Sequence, residues 1–457
     1  MNVAPEIFRA YDIRGIAGEA LNAGVVREIG RALAALGRAR GAPAFSVGRD
    51  GRLSSPELGG ALAEGLVAGG AEVVELGTVP TPVTYFAAHH LGTRSAVMVT
   101  GSHNPGDYNG LKMVVAGDTL SGNEIQDLRR AVEAGPPSPG GGRRRSADVL
   151  DAYVDRIAGD VKLARPMKIA IDCGNGVAGV VAARLFRRLG CEVTELFGEV
   201  DGRFPNHHPD PSRPENLRDL VACLATGQAE LGLAFDGDAD RLGVVTKRGG
   251  VIFPDRQLMI YAKDVLSRNP GAEIIYDVKC TRLLAPWIAR HGGRPVVWKT
   301  GHSLIKAKLK ETGAPLAGEM SGHVFFKERW YGFDDALYCG ARLLETLSKE
   351  ADPSAVLEAL PDAPCTPEIN WKLAEGEPHR VIEALQRMKG FDGAERVLTI
   401  DGVRAEFSDG FGLARASNTT PVVVLRFEGD TKEALARIQE TFRKALQPLK
   451  PQSPLPF

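Results

Sequence analysis

Short apolar runs closed by polar, glycine-bearing turns recur along the chain. Residues 95–100 read SAVMVT, 168–172 read KIAID and 231–235 read LGLAF. Runs of this length bounded by turn residues predict buried strands of an α/β sheet. GNGVAG (174–179) then leads into a predicted helix from Val180 to Leu189. Near the carboxyl end, PVVVLRFE (421–428) predicts a strand, and the polar stretch from Lys432 to Leu446 predicts a helix.

A longer pattern lies over these elements. LVAGGAEVVELG (66–77), FRRLGCEVTELFG (186–198) and IARHGGRPVVWKTG (288–301) each read as a helix end, a glycine stop and a strand. The copies stand roughly 100 to 120 residues apart, a spacing suited to repeated domains and too wide for a solenoid. PPSPGGGRRR (136–145) reads as a linker or exposed loop, KRGG (247–250) as a turn and LPDAPCTP (360–367) as a separator. The predicted fold is therefore α/β, with three similar α/β domains and a smaller, dissimilar carboxyl-terminal α+β domain. The expected boundaries are 1–147, 148–250, 251–362 and 363–457.

Candidate chemistry gathers in four strings. In TGSHNP (100–105), Ser102 follows an apolar strand, where α/β folds keep their reacting groups. In LGLAFDGDADR (231–241), Asp236, Asp238 and Asp240 alternate with small residues that let the backbone bend around one hard cation such as Mg²⁺. An EF-hand does not fit, because Arg241 and Lys247 occupy the places of its glycine and closing glutamate. A serine, a magnesium site and the adjoining Arg241 point to phosphoryl transfer. RASNTT (415–420) offers Arg415, Ser417, Asn418 and Thr419 as donors for a phosphate dianion. GEMSGH (318–323) offers Glu319, Ser321 and His323 to sugar hydroxyls. Each string alone also fits an ordinary polar turn.

The four strings, in this order, resemble the α-D-phosphohexomutase family, most of all its members that act on both mannose and glucose phosphates. YDIRG (11–15), GRDGR (48–52), YNGLK (108–112), DVKCTR (277–282) and KTGHSLIK (299–306) add to the likeness. The resemblance implies four domains around a central cleft. It implies a phosphoserine at Ser102 and a magnesium ion held by Asp236, Asp238, Asp240 and a Ser102 phosphate oxygen. Glu319 and Ser321 would contact the sugar; Arg415, Ser417, Asn418 and Thr419 would hold its non-reacting phosphate. Tyr11, Arg14, Lys112, Arg241, Lys279, His302 and His323 would line the remaining cleft. Lys112 is the candidate general acid/base, with a pKa lowered by neighbouring cations, and His302 and His323 are its rivals. The implied reaction moves phosphate reversibly between O1 and O6 of a hexose phosphate through a 1,6-bisphosphate, with glucose 1,6-bisphosphate as activator. Phosphoglucosamine mutase and a glucose-only mutase are the near alternatives.

Composition narrows the rest. The net charge of −1 over 457 residues draws neither nucleic acid nor anionic membrane. Six cysteines without a C-x-x-C pair argue against zinc or a disulfide framework. No apolar run of about 18 residues predicts a membrane span, and the amino terminus lacks an apolar signal core. The expectation is a cytoplasmic monomer whose partner is a small phosphosugar. GNGVAG formally matches a dinucleotide fingerprint, so a nicotinamide dehydrogenase is one rival and a phosphoserine-based phosphatase another. Ser102 lacks the G-x-S-x-G elbow of α/β-hydrolases.

Overall fold

In each of the first three sheets the same strand order recurs. The computed structural model describes residues 3–388, 390–418 and 420–457. In the first sheet Ala44–Arg49 lies between the parallel strands Glu72–Thr78 and Ser95–Val99, and Tyr108–Val115 runs antiparallel beside the latter. The second repeats this with Lys168–Asp172 between Glu192–Leu196 and Leu231–Phe235, followed by antiparallel Leu242–Thr246. The third does so with Glu273–Asp277 between Arg294–Trp298 and Leu316–Gly318, followed by antiparallel Val324–Phe326. The repeated helix–glycine–strand copies are the connections into the outer parallel strand of each sheet. Their glycines Gly70, Gly190 and Gly292 all take positive φ (87°, 94° and 79°), which ends each helix without steric cost. The fourth sheet is antiparallel throughout, in the order Ile369–Lys372, Val422–Gly429, Gly410–Ala416, Val403–Phe407 and Arg396–Leu398. The helix Lys432–Leu446 packs on it through Ile438 and Phe442. The α/β and α+β division expected from the sequence is the observed one.

Two segments differ from expectation. The second half of the presumed linker forms an edge strand, Arg143–Ser146, parallel to Glu72–Thr78. Arg145 pairs with Glu72 at 3.1 Å and Arg144 bonds Glu75 at 2.6 Å, so charge pairing recruits a segment whose composition reads as loop. The helix after GNGVAG begins at Ala182, behind a 3₁₀ turn at Val177–Val180. A Cβ on Gly176 would lie 2.9 Å from the Gly237 carbonyl. That glycine thus serves close packing against the acidic turn, a local reason for it that requires no dinucleotide.

One apolar core runs through the first three units. It joins Tyr85 and Phe86 to Tyr153, Phe186 and Phe235, and on to Tyr261 and Tyr338. Each ring buried this way contributes on the order of 2 kcal/mol. The fourth unit has its own core around Trp371, Phe427 and Phe442. Its contacts with the third are largely polar: Arg404 donates to the carbonyls of Val278 (2.7 Å) and Cys280 (2.6 Å), and Arg426 pairs with Asp255 at 3.3 Å. A small apolar patch of Val278, Phe411 and Leu413 completes the joint.

Candidate active site

The serine, acidic and GEMSGH strings occupy one topological position. Each follows the parallel strand next to the antiparallel one, at its carboxyl end, just before the chain returns antiparallel. This is the end of an open α/β sheet where ligands bind.

The serine turn is held rigidly. Ser102 is 1% exposed and has a φ of 50°, a left-handed conformation that costs a non-glycine residue about 1–2 kcal/mol. Its N–H donates to Thr100 Oγ1 (2.8 Å) and its hydroxyl to Asp236 Oδ2 (3.1 Å). The buried Arg52 guanidinium donates to the carbonyls of Ser102 (2.8 Å), Asn104 (2.6 Å), Tyr108 (3.0 Å) and Pro105. Arg14 adds bonds to the Gly101 carbonyl (3.2 Å) and Asn104 Oδ1 (2.8 Å).

The acidic turn meets it face to face. Asp236, Asp238 and Asp240 are buried, and each places a carboxylate oxygen within 4.8 Å of the other two. Burial and the two neighbouring carboxylates push Asp236 well above the usual carboxylate range. Burial would raise Asp238 too, but the Lys112 ammonium and the Thr81 hydroxyl outweigh it and hold that group low. Lys112 Nζ bridges Asp238 (2.7 Å) and Asp240. Oδ1 of Asp238 and Oδ1 of Asp240 are buried without a hydrogen-bond partner. Converging oxygen donors with unfilled lone pairs fit a hard divalent ion such as Mg²⁺. Gly237 makes the close approach possible, since a Cβ there would lie 2.3 Å from the Ser102 carbonyl. Gly237→Ala is expected to push the two turns apart, costing about 1–3 kcal/mol of stability. It should lower kcat far more than it raises KM, as steady-state kinetics would show.

A chain of rings leads from the acidic turn to the fourth unit. Arg241 Nε donates to His323 Nε2 at 3.0 Å, and His323 Nδ1 lies 3.0 Å from Asp334 Oδ2. With Nε2 accepting, the ring proton sits on Nδ1, facing that carboxylate. The His302 ring lies 5.4 Å from that of His323 and 5.9 Å from that of Tyr11. Burial, reinforced by the Lys306 charge, drives the His302 pKa well below its ordinary value, and among the described residues its Nδ1 has no hydrogen-bond partner. Tyr11 donates to the Thr300 carbonyl (2.9 Å) and receives the Asn418 amide. Arg415 bonds Asp401 Oδ2 through Nε (3.0 Å), and its buried Nη2 has no hydrogen-bond partner among the described residues. The Ser417 hydroxyl lies 3.0 Å from that of Thr420. Glu319 accepts from the Gly301 N–H, and burial raises its pKa. Ser321 is part-buried in the same turn. Lys279 Nζ pairs with Glu368 at 3.0 Å. Thr419 lies outside the described residues.

Four family profiles cover this chain. They are described as phosphoglucomutase/phosphomannomutase α/β/α domain I (residues 5–137), domain II (151–250), domain III (253–363) and the C-terminal domain (368–445). The chain belongs to the phosphoglucomutase/phosphomannomutase family. It is 58% identical to a phosphoglucomutase of Neisseria gonorrhoeae over 98% of each chain. It is 57% identical to a phosphomannomutase/phosphoglucomutase of Pseudomonas aeruginosa, over 99% of this chain and 97% of that one. The crystal structure of a phosphoglucomutase/phosphomannomutase family protein from Burkholderia thailandensis matches all of both chains, with 59% identity and a TM-score of 0.96. The α-D-phosphohexomutase resemblance read from the four strings is thereby established.

One expectation needs correcting. Lys112 does not have a lowered pKa. Burial acts in that direction, but Asp238, Asp240, Asp236 and Asp334 together outweigh it and the net shift is upward. The lysine is a counter-ion of the acidic turn.

Sequence reasoning also missed the supports. Each central strand ends in, or is followed at once by, a buried aspartate: Asp50, Asp172 and Asp277. Asp50 accepts from Gly101 N–H (3.0 Å) and Arg52 Nε (3.1 Å). Asp277 accepts from Met320 N–H (3.1 Å) and Thr300 Oγ1 (2.8 Å). Asp172 lies 3.0 Å from His207 Nε2, in the segment whose Pro209 carbonyl receives the Gly237 N–H (3.2 Å). GRD, AID and IYD at repeat spacing were the available signal.

Proposed function

We infer that the protein moves a phosphoryl group reversibly between O1 and O6 of mannose and glucose phosphates, through phospho-Ser102 and a hexose 1,6-bisphosphate. The observation that carries this reading is the Ser102 hydroxyl bonded to Asp236 at the mouth of a buried acidic turn. A Mg²⁺ ion held by Asp236, Asp238, Asp240 and a Ser102 phosphate oxygen would supply positive charge opposite the transferring oxygens. Arg241, from the same turn, would place its guanidinium against that group. Lys112 keeps the aspartates aligned. His302, neutral through burial and with an unfilled nitrogen, is the proposed acceptor of the sugar hydroxyl's proton. His323, Tyr11, Arg14 and Lys279 line the path between the two phosphates. Glu319 and Ser321 would bind the sugar hydroxyls, and Arg415, Ser417, Asn418 and Thr419 the phosphate that is not reacting.

The cycle balances. Phospho-Ser102 gives its group to the free hydroxyl, whose proton passes to the base while the departing Ser102 oxygen takes up a proton, and the bisphosphate turns over in the cleft. The other phosphate then returns to Ser102, whose hydroxyl gives up its proton as the sugar oxygen regains one. Because the two ends exchange places, one phosphate clamp serves both half-reactions. Glucose 1,6-bisphosphate would act as activator by recharging a serine that has lost its group. We place the enzyme in the cytoplasm as a monomer; among the described residues no helix is long and apolar enough to cross a membrane.

Incubation with hexose 1,6-bisphosphate should add one phosphate to the intact mass of the protein. Release of inorganic phosphate alone, with neither labelled protein nor bisphosphate sugar, would favour a phosphatase. Rates with mannose, glucose and glucosamine 1-phosphates would rank the substrates. Arg415→Ala is expected to raise KM for hexose phosphate by about 10- to 100-fold, the scale of one lost bidentate charge-assisted contact. Its thermal midpoint should stay close to wild type, and an unchanged KM would remove the clamp from the scheme.

A further inference from the structure

A cavity of about 730 Å³ opens at the seam between the first and third units, and none of the residues assigned to the reaction lines it. Its size falls in the range of small-molecule sites, which favour domain seams. Two features of its lining define a ligand chemistry.

The first is charge. Arg40, Arg94, Lys306, Lys310 and Lys327 face only Asp118 and Glu124 across the cavity, in a chain whose net charge is −1. Arg40 pairs with Glu124 at 2.7 Å and Lys310 with Asp118. Among the described residues Arg94 and Lys327 have no recorded acidic partner, and they come from opposite sides of the seam. The second is a flat aromatic wall. Tyr331 is 37% exposed, one of the few large apolar side chains left in solvent, with His89 stacked on it at 4.6 Å and Phe333 beside it at 5.9 Å. Unspent cations and a ring surface in one cavity match a ligand carrying phosphates and a planar ring.

We propose that this seam cavity binds a nucleoside diphosphate, its phosphates against Arg94 and Lys327 and its base against Tyr331. Inorganic phosphate would leave the aromatic wall unused, and a hexose phosphate has no planar aromatic ring to stack on it. Lys306 connects the reaction centre with the cavity. Lys306 lines it and donates to Asp334 Oδ1 at 3.0 Å, while Asp334 Oδ2 lies 3.0 Å from His323 Nδ1. A phosphate that competes for Lys306 alters the setting of His323, and a ligand spanning Arg94 and Lys327 fixes the seam. Occupancy therefore changes turnover without competing with hexose phosphate.

Titration calorimetry on the full chain in magnesium buffer tests this, with ADP and UDP as probes and with pyrophosphate and adenosine as single-feature controls. One equivalent of a nucleoside diphosphate should bind with a Kd below about 1 mM, about tenfold or more tighter than either control. The double variant Arg94→Glu, Lys327→Glu should weaken binding about tenfold or more while basal turnover stays within about twofold of wild type. Tyr331→Ala, at an exposed ring, should weaken the diphosphates but not pyrophosphate. Arg415→Ala should leave the affinity unchanged, and saturating diphosphate should shift kcat by about twofold or more. The proposal is overturned by no binding at about 5 mM probe, by pyrophosphate binding as tightly as the nucleotides, or by competition from glucose 1-phosphate, which would place the probe in the cleft.

Discussion

Ser102→Ala is expected to reduce turnover by about a thousandfold or more, the scale seen when an enzyme loses the residue that carries its covalent intermediate. The variant should fold normally. Its lost hydrogen bond to Asp236 is worth about 1 kcal/mol, and alanine inherits the same left-handed backbone that serine already tolerates at a φ of 50°. The Arg52 bonds to four carbonyls of the turn are untouched, because they involve backbone alone. Two measurements decide the matter together. A coupled assay of hexose 1-phosphate conversion reads the rate, and intact mass after exposure to hexose 1,6-bisphosphate reads the label. Turnover within about tenfold of wild type, or a phosphate still carried by the variant, would remove Ser102 from the centre of the reaction.

Lys112→Met should produce the largest loss of stability among conservative single changes in the cleft. It strips the ammonium from between Asp238 and Asp240 and leaves buried carboxylates facing one another. Removing one partner of a buried pair costs about 3–5 kcal/mol. The carboxylates raise the lysine's folded-state pKa above its unfolded value. Its contribution is thus fully present at neutral pH and is lost only as pH rises through that raised value. Magnesium should compensate, since an ion that binds the folded acidic turn and not the unfolded chain stabilises by mass action. The expected signature is a large fall in Tm in EDTA that Mg²⁺ narrows, with wild type responding much less. An equal fall with and without magnesium would mean that the acidic turn does not hold the ion.

The legible parts of this protein were those whose chemistry is local in sequence. Three aspartates separated by single small residues announce a cation site before any fold is known. The strand-then-turn pattern placed Ser102 and Asp236 at strand ends because burial of short apolar runs is a local property. What stayed hidden depends on distant charge. Lys112 lies 126 residues from Asp238, and nothing in YNGLK says that its neighbours in space are carboxylates rather than cations. The edge strand Arg143–Ser146 was hidden for the same reason, since its partners Glu72 and Glu75 lie some seventy residues earlier. Asp50 and Asp277 lie within GRDGR and DVKCTR, which gave them no role, and Asp172 has no such string; their importance comes from standing at the same place in three sheets.

That threefold coincidence has a mechanical meaning. The serine, acidic and GEMSGH turns each ride on a separate stiff platform, braced from beneath by its own carboxylate. Small tilts of one platform relative to another would retune the distances among them while leaving every turn internally unchanged. Selection acting on residues at the joints, far from any reacting atom, could thereby adjust which sugars the cleft accepts and how quickly they leave.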